Sequence, residues 1–164
     1  MKYDAEVASA IARVNPNIDP ALVHAIIQKE SSHGAALVTP ETRGRYSYGP
    51  MMVLDSTARG LGVADPSSLA RDPAAGIYYG TRYLNSKLQA YPGDTASAVA
   101  AYNAGPARRG ASGAFINQDY VNKVLGFWRQ YRGAAPVAAG AGALLVLLVG
   151  GYLFLRSRRR ARAA

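Results

Sequence analysis

The chain has 164 residues, with nineteen Lys/Arg against ten Asp/Glu, a formal net charge of +9 and no cysteine. Disulfides, thiolate metal sites and a cysteine nucleophile are excluded, and the two histidines, His24 and His33, are too few for most His-rich metal sites. Five basic residues, Arg156, Arg158, Arg159, Arg160 and Arg162, lie in the C-terminal tail, leaving fourteen against ten acids in residues 1–133, a modest surplus that suits an anionic polymer without choosing one.

In chain order, Asp4 is placed to cap a first helix over residues 5–14, with Val7, Ala10, Ile11 and Val14 on one face. The first fifteen residues carry acids early and no continuous apolar core, so no signal peptide is expected. The run NPNIDP is a loop. Asp19 before Pro20 is a strong helix start, because aspartate accepts orphan N–H groups and proline tolerates the first turn. Leu22, Ile26 and Glu30 then recur every four residues, which puts Glu30 on the apolar face near the helix's C-terminal end.

Residues 31–50 carry Gly and Pro punctuation and no clean period, so no strand is predicted there. A short helix is predicted over residues 56–61, closed by Gly60 and Gly62. Asp72 with Pro73 repeats the earlier start signal. Its helix carries Ile77, Gly80, Leu84, Leu88 and Tyr91 on one face and ends before Pro92. Asp94 or Thr95 starts a helix through residues 96–102, stopped by Asn103-Ala104-Gly105-Pro106. Residues 107–114 read as a basic, glycine-rich loop. Asp119 opens a last helix through Val121, Val124, Leu125, Trp128 and Tyr131.

Residues 137–155 are nineteen residues without a charge. At a rise of about 1.5 Å per residue they match a hydrocarbon core of about 30 Å. Phe127, Trp128 and Tyr131 on one side, and Tyr152 and Phe154 on the other, suit interfacial belts. The expected organisation is an all-α domain over 1–133, a transmembrane helix over 134–156 and a basic tail over 157–164. The arginine tail predicts a cytoplasmic C-terminus with the N-terminal domain on the far, periplasmic side of a single-pass membrane protein. In a virion with an internal membrane, the same Arg156–Arg162 tail would face packaged nucleic acid, or anionic lipid, through phosphate contacts.

Three blocks carry the chemistry: the helix ending in Glu30-Ser31; YGPMMVLDSTARGLG at 48–62; and AVAAYNAGPARRG at 98–110, preceded by DPAAGIYYGTRYLNSKL at 72–88. Their order and spacing resemble the lytic transglycosylase domain of the soluble-transglycosylase type, within the lysozyme-like superfamily. The resemblance spans roughly residues 6–131. The first block resembles the family's Glu-Ser motif, whose Glu is its sole catalytic carboxylate. The second resembles its Gly-Leu-Met-Gln motif followed by Thr-Ala-Arg and Leu-Gly. Gly49, Met51, Thr57, Ala58, Arg59, Leu61 and Gly62 match, whereas Pro50 replaces Leu and Met52 replaces Gln. The third, Ala101-Tyr102-Asn103-Ala104-Gly105, matches without change.

The resemblance implies a lysozyme-like α-helical domain that binds peptidoglycan glycan strands and needs neither metal nor cofactor. It implies Glu30 as catalytic acid and base, with Ser31, Thr39, Met51, Tyr102, Asn103 and Tyr120 as substrate-binding or positioning groups. Tyr102 would bond Glu30 or the sugar, and Asn103 would hold an acetamido group. Chemically, cleaving a glycosidic bond needs a protonated acid beside the leaving oxygen, and a carboxyl at the apolar end of a helix has its pKa raised by burial. Glu41 and Asp55 are the carboxylates nearest in sequence and match no family motif. The family reaction closes a 1,6-anhydro ring on the cleaved N-acetylmuramic acid. Two alternatives stand beside it: a hydrolytic muramidase on the same fold, and a non-catalytic, membrane-held peptidoglycan-binding protein. The setting expected is local opening of the cell wall, during phage genome entry or during assembly of an envelope-spanning machine.

Overall fold

The computed structural model describes residues 1–133, which pack as one unit. Seven helices are found there: α1 (Asp4–Val14), α2 (Pro20–Ser31), α3 (Asp55–Gly60), α4 (Ser68–Arg71), α5 (Pro73–Ala90), α6 (Thr95–Ala104) and α7 (Gln118–Gly133). Three of the five expected aspartate starts are used as caps, and Asp119 lies one residue inside α7. Asp19, Asp72 and Asp94 accept from the N–H groups of Ala21, Ala75 and Ser97 at 2.9, 3.1 and 3.0 Å. Asp4 is not a cap. It lies inside α1, and its carboxylate instead stands 3.1 Å from Nε2 of His24 on α2.

The all-α expectation is corrected by a small sheet. Strands β1 (Val38–Pro40), β2 (Tyr46–Tyr48) and β3 (Val53–Leu54) are antiparallel in the order β1-β2-β3. Two or three residues per strand are too few to display an alternation, which is why the sequence reads as irregular there. The β1–β2 connection is closed by Arg43 and Gly44 at φ 62° and 69°, and by the Glu41 N–H donating to the Arg45 carbonyl at 2.8 Å. Arginine in the left-handed region is not a turn signal that sequence announces. Helix α4 was likewise not expected; at four residues it is shorter than any periodic pattern.

The main core joins α1, α2, α5, α6 and α7 through residues such as Val7, Leu22, Ile26, Ile77, Leu84, Val99 and Val124. Helix α2 packs chiefly on α7, and α1 on α5. A second cluster, Val53, Ala58, Val63 and Leu69 with Tyr48 and Tyr79 against it, supports the sheet. Among the described residues no helix is long and apolar enough to cross a membrane. The expected transmembrane helix and the arginine tail lie outside the described residues.

Candidate active site

Glu30 occupies the last turn of α2, and the helix ends one residue later at Ser31. Ser32 takes the left-handed conformation, φ 49°, and donates its N–H to the Gln28 carbonyl at 3.1 Å. The apolar positions Val23, Ile26 and Ile27 are fully buried, and they hold α2 so that Glu30 emerges at the edge of the core. There it lines a cleft of about 410 Å³ with Glu41, Arg45, Ser47, Met52, Leu54, Thr57, Tyr83, Tyr102 and Asn103 among its neighbours.

The carboxyl keeps a partly accessible face toward this cleft, while protein encloses the rest of it. That burial pushes its pKa from 4.5 up to about 7. The hydrogen bond from Tyr120 and the charge of Lys29 act in the opposite direction, and the charge of Glu41 adds to the rise. Tyr120 on α7 donates its hydroxyl to Oε1 of Glu30 at 2.5 Å. The Lys29 ammonium lies over the Tyr120 ring, 5.1 Å from its centre. Burial and the neighbouring Glu30 charge hold the Tyr120 phenol well above its usual range, so it serves as a donor.

The floor of the cleft is built by the turn between β2 and β3. Gly49 adopts φ +81°, and a Cβ there would stand 2.7 Å from the Leu69 carbonyl oxygen, so only glycine fits without displacement. The turn then drops Met51 into α5, where Gly80 leaves room: a Cβ at Gly80 would meet the Met51 Cβ at 2.5 Å. Met51 is fully buried, and its carbonyl accepts the Tyr102 hydroxyl at 2.8 Å. Ser31 is buried below the same turn. Its hydroxyl lies 2.8 Å from the Pro50 carbonyl, and it accepts the Gly34 N–H at 2.9 Å. The next residue, Met52, takes φ 46° and lines the cleft.

The sequence-predicted residues thus fall into distinct positions. Glu30, Tyr102 and Asn103 line the cleft, and Tyr120 bonds Glu30. Tyr102 spends its hydroxyl on the Met51 carbonyl rather than on Glu30, and leaves its ring against Tyr83, 5.1 Å between centres. Asn103 is exposed and receives the Asn117 side-chain N–H at 2.9 Å. Ser31 and Met51 are buried and shape the floor rather than its surface. Thr39 sits on β1 opposite Ser47, outside the lining residues.

Glu41, Arg45, Ser47, Tyr83 and Leu54 line the cleft without having been singled out as binding groups. Register explains part of this: Ser47 pairs with Leu54 and with Thr39, so these residues form one row across the sheet. Glu41, two residues beyond Thr39, receives the Ser47 hydroxyl at 2.8 Å. Recognising β1 as a strand would have been the signal that carried Glu41 toward the site.

Two comparisons with known proteins agree with this arrangement. A family model described as the transglycosylase SLT domain matches residues 8–117. A protein of Enterobacteria phage PRD1 named transglycosylase is 37% identical over 89 residues, which cover 54% of this chain and 30% of that protein. The matched stretch therefore spans less than a third of the relative's length.

Proposed function

Since the chain belongs to the transglycosylase SLT family, we propose that it is an enzyme that cleaves peptidoglycan glycan strands between N-acetylmuramic acid and N-acetylglucosamine without consuming water. The observation that carries this reading is a single buried carboxyl, Glu30, with its pKa raised to about 7 at the wall of an open cleft. A carboxyl that holds its proton near neutrality is matched to donating it to a leaving oxygen. In the proposed reaction Glu30 passes its proton to the glycosidic oxygen as the bond to C1 breaks. The neighbouring acetamido group assists departure. The C6 hydroxyl of the same sugar then bonds to C1, and its proton returns to Glu30. One glycosidic bond breaks, one intramolecular acetal bond between C1 and O6 forms, and the carboxyl ends as it began. Tyr120 holds Glu30 in place through both halves.

The reaction is tested with the full-length protein in detergent, acting on purified peptidoglycan. Mass spectrometry is expected to find 1,6-anhydro ends, and Glu30→Gln is expected to lower the rate by about 10²-fold or more. Reducing ends would assign a hydrolytic muramidase instead. Binding without cleavage by the unaltered protein would assign a peptidoglycan-binding module.

We further propose that residues 137–155 anchor the domain in a membrane. The support is the uncharged nineteen-residue run followed by five arginines, a bias that favours a C-terminus in the cytoplasm with the enzyme in the periplasm. The relative from a phage supports a second site of action, an internal membrane of a virion, with the Arg156–Arg162 tail on lipid or nucleic acid. In either place the role would be local opening of the wall, for genome entry or for assembly of an envelope-spanning machine. Recovery of the protein in washed membranes or purified virions tests this; recovery in the soluble fraction alone would refute it.

A further inference from the structure

Glu41 is the one other carboxylate among the residues lining the cleft that holds Glu30. Glu41 is exposed to solvent, yet its position is built by defined contacts. It follows β1 directly, its N–H closes the β1–β2 connection on the Arg45 carbonyl, and buried Ser47 donates to its Oε1 at 2.8 Å. One carboxylate oxygen is thereby fixed and the other left uncommitted, and among the described residues no cation is paired with it. Lys29, Tyr102 and Tyr120 surround Glu30 from α2, α6 and α7, whereas Glu41 and Arg45 face the cleft from the sheet side. The two carboxylates therefore approach a bound sugar from different elements.

Bond cleavage at C1 develops positive charge on the sugar ring, and on its acetamido group when that group assists. A fixed negative charge aimed at such a centre stabilises the transition state more than the neutral ground state. We propose that Glu41 is a second catalytic carboxylate, an electrostatic partner for the cationic sugar, with Ser47 as the residue that positions it. It forms no covalent bond and takes no proton; Glu30 alone carries the proton out and back. The proposal rests on the glycan-cleaving reading above and deepens it.

The experiment compares unaltered full-length protein, Glu41→Gln, Glu41→Asp and Ser47→Ala on the same peptidoglycan, with thermal melting to confirm folding. Glu41→Gln is expected to lower kcat roughly ten- to hundredfold with a much smaller change in KM. Products are expected to stay 1,6-anhydro, Glu41→Asp to recover part of the loss, and Ser47→Ala to lose less than Glu41→Gln. The alkaline limb of the pH profile should also move to lower pH, because the negative charge that helps keep Glu30 protonated is gone. An active unaltered enzyme whose Glu41→Gln variant keeps kcat within about twofold overturns the role of Glu41 alone. So does a change confined to KM. Reducing ends from the unaltered enzyme that turn to anhydro ends in Glu41→Gln would make Glu41 a base acting on water, and would overturn the underlying reading too. An inactive unaltered enzyme overturns the underlying reading as well.

Discussion

The Tyr120 hydroxyl on α7 donates to Oε1 of Glu30 on α2 across ninety positions of sequence, at 2.5 Å. This bond favours the ionised carboxylate, yet burial outweighs it and leaves Glu30 near 7. Tyr120→Phe removes the smaller, opposing effect. The Glu30 pKa should therefore rise further, and the alkaline limb of kcat/KM, which reports the free enzyme's acid, should move above its starting point near 7. The lost hydrogen bond should cost about 0.5–1.5 kcal/mol of stability. A pH–rate profile of the two proteins checks the direction. A limb that moves to lower pH would show that Tyr120 holds Glu30 protonated.

The raised Glu30 pKa also makes a claim about folding. In the unfolded chain the carboxyl titrates near 4.5 and in the folded chain near 7. Between those values the folded state holds a proton that the unfolded state has released, so stability falls as pH rises through that window and levels above it. Each pKa unit is about 1.36 kcal/mol, which sets an upper bound of about 3 kcal/mol, reduced by the accessible face of the carboxyl. Glu30→Gln, which cannot ionise, should therefore melt higher than the unaltered protein at pH 8 and close to it at pH 4.5. Thermal melts at the two pH values decide this, and equal melting temperatures at pH 8 would count against a strained, buried carboxyl.

What could be read from the sequence tracks the range of the interaction responsible. The helix starts at Asp19 and Asp72 follow from local capping chemistry, and Glu30's place on α2 follows from a period of four. The sheet was missed because its strands are held by register and by Arg43 in a left-handed turn, not by an apolar alternation. The partner choices within the site were also hidden. That Tyr102 would donate to a backbone carbonyl and Tyr120 to Glu30 depends on where α6 and α7 cross the end of α2. Glu41 was visible as a nearby acid, but its presence in the cleft follows from the unpredicted hairpin.

The floor of the cleft depends on a missing side chain. Gly80→Ala would place a methyl group 2.5 Å from the Met51 Cβ and 2.6 Å from its sulfur, inside a fully buried contact. Overpacking of this kind costs about 1–3 kcal/mol. The displaced turn also carries the Tyr102 acceptor and the lining residue Met52. The variant should melt lower and lose glycan cleavage by a larger factor than its melting shift alone accounts for at an assay temperature well below unfolding. Gly60→Ala, where the added carbon meets no side chain or other segment within 4 Å, is the control expected to lower neither.

Asp19 ties the start of α2 to the C-terminal part of α7. Its Oδ1 accepts the Ala21 N–H at 2.9 Å and caps α2, while its Oδ2 accepts the Trp128 indole N–H at 2.8 Å. Arg132 stands 3.3 Å from the same Oδ2, but its exposed guanidinium adds little in water. Asp19→Ala removes the cap, worth about 1 kcal/mol, and orphans the indole N–H, worth about 1–3 kcal/mol. A total loss of about 2–4 kcal/mol is expected. Asp19→Asn has one acceptor oxygen in place of two, so it keeps the cap on α2 but turns an NH2 donor toward the indole N–H; its loss should be that of the indole bond, about 1–3 kcal/mol, less than that of Asp19→Ala. Trp128 is the single tryptophan, so its fluorescence during urea unfolding reports this junction directly. If Asp19→Ala unfolds at the same urea concentration as the unaltered protein, the capping and indole bonds are not what joins α2 to α7. If Asp19→Ala loosens the junction as expected, the Tyr120–Glu30 bond further along the same pair of helices should weaken with it, and cleavage should fall although no cleft residue has changed.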